Sequence, residues 1–199
     1  MQTYINPKLS DWSALTSRPT KEAQDLQKIV LDVFEKIQSE KDKALIDFTE
    51  KFDKVKLSSL EVSTEEIEEA KPLISEELKQ AIQLAASNIE KFHSVQREEI
   101  KVIETTKGVN CWRESRGIEN VGIYIPGGTA PLFSTTLMLG IPAKLAGCEN
   151  IILCTPPNKS GKVHPAILYT ANLIGIEKIY KVGGIQAIGA LTFGTETIQ

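Results

Sequence analysis

Two Gly-Gly pairs carry the most chemical promise in this chain: Gly127-Gly128 within Tyr124-Ile125-Pro126-Gly127-Gly128-Thr129, and Gly183-Gly184 within Val182-Gly183-Gly184-Ile185-Gln186. Each follows a short apolar run and precedes a helical pattern. Glycine lets backbone amides approach a ligand closely and take positive φ, and the N-terminus of the following helix favours an anion. A phosphate-bearing ligand is the chemistry this pattern offers. The same glycines suit tight turns between strand and helix equally well. No GxGxxG follows any run, and Gly184–Gly189 has the gap of a P-loop but Ala190 where its lysine must stand, so neither standard nucleotide fingerprint fits. Tyr124 and Gln186 are the polar side chains at the mouths of two runs. They can reach a ligand, or serve as a core-rim tyrosine and an ordinary residue of a first helical turn.

His93 and His164 are the only histidines. A catalytic zinc site commonly takes three protein ligands and leaves one position open, which these two cannot build. His93, beside Phe92, reads as a helix-end or packing residue; His164, before Pro165 in a polar loop, reads as solvent-exposed. Cys111, Cys148 and Cys154 form no CxxC pair, and no histidine is placed in sequence to serve as a base for them. Cys111 and Cys154 are therefore expected to be buried strand thiols, and Cys148 to sit at a helix end. The odd, sparse count fits a reducing cytosol, so a cytoplasmic location is expected.

The elements that must position these residues fall into two kinds. Of the 49 charged residues, 40 lie in 1–118, whereas 11 of 13 glycines lie in 119–199. The boundary is placed at 118/119: a mainly helical part over 1–118, and a parallel α/β part over 119–199. In the first, Thr20 is read as capping a helix with Leu26, Ile29, Val30, Val33, Phe34 and Ile37 on one face. Ser39-Glu40-Lys41-Asp42 and Ser63-Thr64-Glu65-Glu66 both read as capping boxes. Pro72 closes the short helix that the second one opens. Ser75 starts a longer helix with the stripe Leu78, Ile82, Ala85, Ala86, Ile89 and Phe92, and Ile100–Glu104 and Val109–Glu114 flank Thr106-Lys107-Gly108 as a hairpin.

In the second part, Glu119–Ile125, Asn150–Thr155 and Lys178–Val182 are short, β-branched and apolar, as strands buried on both faces are. Helical patterns over Ser134–Ala146, Pro165–Ile174 and Gln186–Phe193 alternate with them, with Pro142 expected to kink the first. Strand-helix alternation predicts a parallel sheet, with ligands outside the carboxyl ends of its strands. No strand follows the last helix, so a sheet edge is expected to be unfinished and the chain to be the N-terminal part of something longer.

With 199 residues, 41% hydrophobic and 25% charged, the composition excludes intrinsic disorder, and a chain of this length buries roughly 70% of its unfolded surface. The net charge of −3, with lysines interleaved among carboxylates, argues against nucleic acid. No apolar stretch approaches the ~20 residues of a membrane span.

The runs Val121–Thr135, Ile141–Cys148, Leu153–Pro157 and Val182–Leu191, with Ile89-Glu90-Lys91-Phe92-His93 upstream, closely resemble histidinol dehydrogenase. The resemblance implies a zinc-dependent, NAD-linked enzyme that oxidises L-histidinol through histidinal to L-histidine, in a homodimer with shared active sites built on incomplete Rossmann-like folds. It further implies that Tyr124 and Gln186 contact NAD, and places Pro126, Gly127 and Gly128 in the same cofactor-binding segment. Zinc ligands and catalytic bases of the family match no position here, so this chain alone is expected neither to oxidise histidinol nor to hold stoichiometric zinc. The loop Asn158–His164 is longer and more polar than in some members. Rival readings are another dehydrogenase of aldehyde-dehydrogenase-like fold, and a non-catalytic nucleotide-binding module.

Overall fold

The structure, a computed structural model, describes residues 3–17, 23–128 and 130–199; the expected Thr20 cap lies outside the described residues. In chain order the elements are α1 (Trp12–Thr16), α2 (Ala23–Glu40), α3 (Asp42–Asp53), α4 (Thr64–Ala70), α5 (Glu76–Ser94), β1 (Ile103–Thr106), β2 (Val109–Cys111), β3 (Asn120–Tyr124), α6 (Phe133–Leu145), β4 (Asn150–Thr155), α7 (Pro165–Leu173), β5 (Lys178–Lys181) and α8 (Gly184–Phe193). Strands β3, β4 and β5 form a parallel sheet in that order, with Tyr124 opposite Cys154 and Cys154 opposite Tyr180. β1 and β2 form a separate antiparallel hairpin.

Local chemistry explains the starts of α4 and α5. Ser63 Oγ accepts from the Glu66 amide at 3.3 Å while Glu66 Oε2 accepts from the Ser63 amide at 3.1 Å, so α4 opens on the capping box read from its sequence. Ser75 Oγ accepts from the Leu78 amide to open α5. Ser39 does not cap. Its hydroxyl donates back to the Glu35 carbonyl at 2.9 Å inside α2, and the break falls at Lys41, with φ of 53°. Val33 and Ile37 remain buried up to that point, so packing carries α2 past the polar cluster. Pro142 lies inside α6, which continues through it to Leu145.

Both faces of the sheet are covered. Val33, Ile37, Ala44, Leu45 and Phe48 from α2 and α3 share one core with Ile152, Cys154, Tyr180 and the α8 residues Ala187 and Ala190. On the opposite face, Ile67 of α4 and Ile167, Leu168 and Ala171 of α7 pack with Ile123, Leu153 and Ile179. α5 adds a smaller cluster through Ile82 against Leu137 and Ile141 of α6. Each core draws residues from both sides of position 118.

The expected burial fails where a helix outruns its cover. Leu26 and Ile29 at the start of α2 are half exposed, because the 18 residues of α2 overhang the 10 of α8. Phe92, near the end of the 19-residue α5, is exposed beyond the 13-residue α6 for the same reason. The hairpin is shorter than read, and Cys111 is exposed instead of buried, since none of the described residues covers either strand.

The unfinished sheet edge is overturned on the β5 side. The Val62 amide donates to the Ile179 carbonyl at 2.9 Å and the Lys181 amide to the Leu60 carbonyl at 2.7 Å, so Leu60–Val62 runs antiparallel along the outer edge of β5. Leu60 and Val62 are both buried there. Such a pairing between distant segments leaves no local sequence signal.

Lys181, at the end of β5, is a buried cation whose Nζ lies 3.0 Å from Glu66 Oε2, the oxygen that also closes the α4 capping box. Breaking a buried pair leaves an uncompensated charge. Glu66→Ala should therefore destabilise the fold by about 3 kcal/mol near neutral pH, while Lys181→Met, which removes the charge itself, should cost far less. Urea denaturation of the two variants checks the order; equal losses would show that the ammonium finds other solvation.

Candidate functional site

The parallel register brings three strand ends to one edge of the sheet. β3 runs out through Ile125, whose amide donates to the Cys154 carbonyl at 2.9 Å, into Pro126-Gly127-Gly128. β4 ends in Thr155-Pro156-Pro157, and β5 passes through Val182-Gly183 into α8. Pro156 lies between the two glycine pairs. A β-carbon on Gly127 would stand 2.5 Å from Pro156 Cγ, and one on Gly183 would stand 2.5 Å from Pro156 Cβ. These two glycines are required by packing against the proline ring, as the turn reading has it. Gly128 differs, because a β-carbon there would meet open space.

Gly184 takes a φ of 62°, in the left-handed region that glycine tolerates, as the chain enters α8. Its amide donates to the Tyr124 hydroxyl at 3.0 Å. One of the free donors of the α8 N-terminus is therefore satisfied by the tyrosine. Since the hydroxyl accepts that bond, its own proton remains available to a ligand oxygen. Tyr124 is half-buried and its ring packs against the core that α2, α3 and α8 share.

Around this rim lies an open cavity of about 470 Å³, whose polar lining includes Asp53, Tyr124, Thr155, His164 and the backbone of Gly128 and Gly184. Pro126 and Gly127 also line it. Four of the five residues expected from sequence thus meet at one cavity. Gln186 does not line it: its side chain is buried in the first turns of α8, with Oε1 2.9 Å from where a β-carbon on Gly184 would sit.

Two lining residues escaped the sequence reading. His164 caps α7: its Nδ1 accepts from the Ala166 amide at 3.2 Å, and Pro165 occupies the first helical position. The signal was present in the His-Pro pair ahead of an apolar helical run. Asp53 is the last residue of α3, and burial pushes its carboxyl above the usual aspartate range. Its Oδ2 is buried without a hydrogen-bond partner among the described residues. Nothing in the Lys51-Phe52-Asp53 triplet distinguishes it from an ordinary helix end.

His93 does not line this cavity: its Nδ1 is 2.8 Å from Gln96 Oε1 and its ring stands edge-on to Phe92 at the end of α5. Burial pushes the Cys154 thiol up to about 12, which removes it as a nucleophile near neutral pH. No group of three or more His, Cys, Asp or Glu able to hold a metal ion occurs among the described residues.

Comparison with known proteins agrees with the motif. The family model described as histidinol dehydrogenase matches residues 16–199. The chain is 54% identical to a histidinol dehydrogenase of Bacteroides thetaiotaomicron over 198 residues, covering 100% of this chain and 46% of that protein. It is 46% identical to a histidine biosynthesis trifunctional protein of Candida albicans, covering 92% of this chain and 22% of that one. The crystal structure of histidinol dehydrogenase from Elizabethkingia anophelis superposes with a TM-score of 0.91 at 70% identity, over 100% of this chain and 46% of that chain. The chain spans about half the length of the histidinol dehydrogenases it matches.

The thiols provide a direct check on the environments assigned to the hairpin and to the end of β4. In native protein at pH 8, a water-soluble disulfide reagent should modify exposed Cys111 readily, and Cys154 only after denaturant is added. Rapid labelling of Cys154 in the folded state would contradict its burial.

Proposed function

The chain belongs to the histidinol dehydrogenase family, and from that premise we propose that the protein is an NAD-linked dehydrogenase oxidising L-histidinol through histidinal to L-histidine, with the crevice at the sheet edge holding the dinucleotide. The observation that carries this reading is the bond from the Gly184 amide to the Tyr124 hydroxyl, which joins the two glycine-bearing strand ends across one cavity. The residues present fit such a ligand. Among the described residues, a β-carbon on Gly128 would meet open space, the Tyr124 hydroxyl keeps a proton to donate, and a carboxylate oxygen of Asp53 has no hydrogen-bond partner.

When bound, NAD+ would supply the hydride acceptor, one oxidised molecule being consumed in each of the two oxidation steps. The chain's own part is to bind and orient. Tyr124 donates its hydroxyl proton to a ribose or phosphate oxygen. The Pro126-Gly127-Gly128 turn lets the backbone approach without side-chain obstruction. Gln186 stands behind Gly184, buried in the first turns of α8, so its part is to support the turn that carries the Gly184 amide. Dependence on zinc, and a homodimer with shared active sites, belong to the same proposal by family resemblance; the described residues are given no part in holding the metal. A cytoplasmic setting goes with free cysteines, one of them exposed, and with no described helix long and apolar enough to cross a membrane.

Groups that hold the cofactor alike in ground and transition states change KM with little effect on kcat. In full-length protein, Gln186→Ala should raise KM for NAD by loosening the Gly184 turn behind the crevice, by the equivalent of about 0.5–1.5 kcal/mol, the loss of one neutral hydrogen bond at the rim. Tyr124→Phe should have a similar effect and Tyr124→Ala a larger one, because the alanine also removes ring packing. Steady-state kinetics with NAD and histidinol varied separately decides. Unchanged NAD kinetics in both Gln186→Ala and Tyr124→Ala would place the cofactor elsewhere, and an altered KM for histidinol alone would make the crevice a substrate site.

A further inference from the structure

Four buried side-chain polar atoms find no hydrogen-bond partner among the described residues. Three are the hydroxyls of Thr49, Thr136 and Thr170, each within a helix. The fourth is Asp53 Oδ2, and only Asp53 of the four lines the crevice. A carboxylate is the group for which such isolation is most unfavourable, since an ion loses far more hydration than a hydroxyl does. Its position adds to the cost. Asp53 is the last residue of α3, where the helix dipole presents its negative end and disfavours an anion. No Lys or Arg within ion-pair distance compensates it among the described residues.

The backbone holds it there. Lys54 turns into the left-handed region directly afterwards, with φ 61° and ψ 33°, and Val55 and Leu57 are buried in the core that α3 shares with the sheet. The carboxylate is thus fixed at the rim by packing on either side, with Oδ2 buried and without a hydrogen-bond partner among the described residues, at a cavity that Tyr124 and Gly184 also line. Desolvation raises its pKa, and any ligand that donates hydrogen bonds to the ionised form would reverse that shift.

We propose that Asp53 is a ligand-binding residue of this crevice, its carboxylate accepting the paired hydroxyls of a ribose of the dinucleotide. A vicinal diol supplies two adjacent O–H donors, matching a carboxylate that is acceptor-only when ionised. Acidic recognition of ribose hydroxyls is the usual complement to glycine-mediated approach in parallel α/β folds; here the acid comes from the end of an N-terminal helix and not from a strand of the sheet. The inference rests on the crevice being the NAD site.

The test is direct binding to full-length protein by titration calorimetry, with NAD, AMP and nicotinamide mononucleotide as probes, alongside the melting temperature of the ligand-free protein. Asp53→Asn keeps the shape and one acceptor and should raise Kd for NAD about tenfold; Asp53→Ala should raise it further, up to about a hundredfold. The ligand-free melting temperature should stay unchanged or rise in Asp53→Asn, because a desolvated charge has been removed. Whichever mononucleotide loses affinity identifies which ribose is held. NAD affinity within twofold of wild type in Asp53→Ala, with Gln186→Ala still weakened, would overturn the role of Asp53 and leave the crevice as the NAD site. Unchanged affinity in both would overturn the two together. Equal weakening of both mononucleotides, or a melting temperature lowered in both Asp53 variants, would show a structural role and overturn the proposal.

Discussion

The ring of Pro156 occupies the space where two β-carbons would otherwise lie, and the geometry of the sheet edge depends on that contact. With β4 central between β3 and β5, its terminal proline touches the loops on both sides. Any side chain at Gly127 or Gly183 would push those loops apart, since packed interiors do not absorb a displaced methyl group without strain. The Tyr124 hydroxyl then locks the rim by taking the Gly184 amide. The crevice is therefore a preformed feature of strand-end packing, with little backbone ordering left for a ligand to impose.

Two charges sit in protected places in this fold and are treated in opposite ways. Lys181 is given Glu66, which is itself tied into a helix cap, so the pair anchors α4 to the end of β5. Asp53 is given nothing among the described residues. The contrast separates a cation that fastens two elements from an anion that none of the described residues pairs with at the edge of the cavity. Perturbed, unpaired carboxyls concentrate in clefts where ligands bind.

How far the residues disclosed this arrangement depended on the range of the interaction. β4 coincides with Asn150–Thr155 because a doubly buried parallel strand shows as an uninterrupted apolar run, and Ser63 and Ser75 cap as read because the partners lie within three residues. Tyr124, Pro126, Gly127 and Gly128 could be grouped because they are contiguous at the end of β3, whereas the topological argument that paired Tyr124 with Gln186 missed that the Gln186 side chain is buried in α8. Ser39 misled because tertiary packing prolonged α2 through a good local cap. Asp53 was invisible: its significance comes from being carried to the mouth of β3 and β4 by a helix from the other half of the chain, a distance that no local pattern encodes.

The strip Leu60–Val62 along β5 has a consequence for how the chain is born. During synthesis, residues 60–62 emerge long before β5 exists, so their edge partner is absent while the helical half is already outside the ribosome. Closure of that edge is a long-range event, and topologies dominated by such contacts fold slowly. Until it happens, two unpaired backbone edges are available to any neighbouring chain. Growth temperature and translation speed should therefore bear on the yield of soluble protein in part through this pairing.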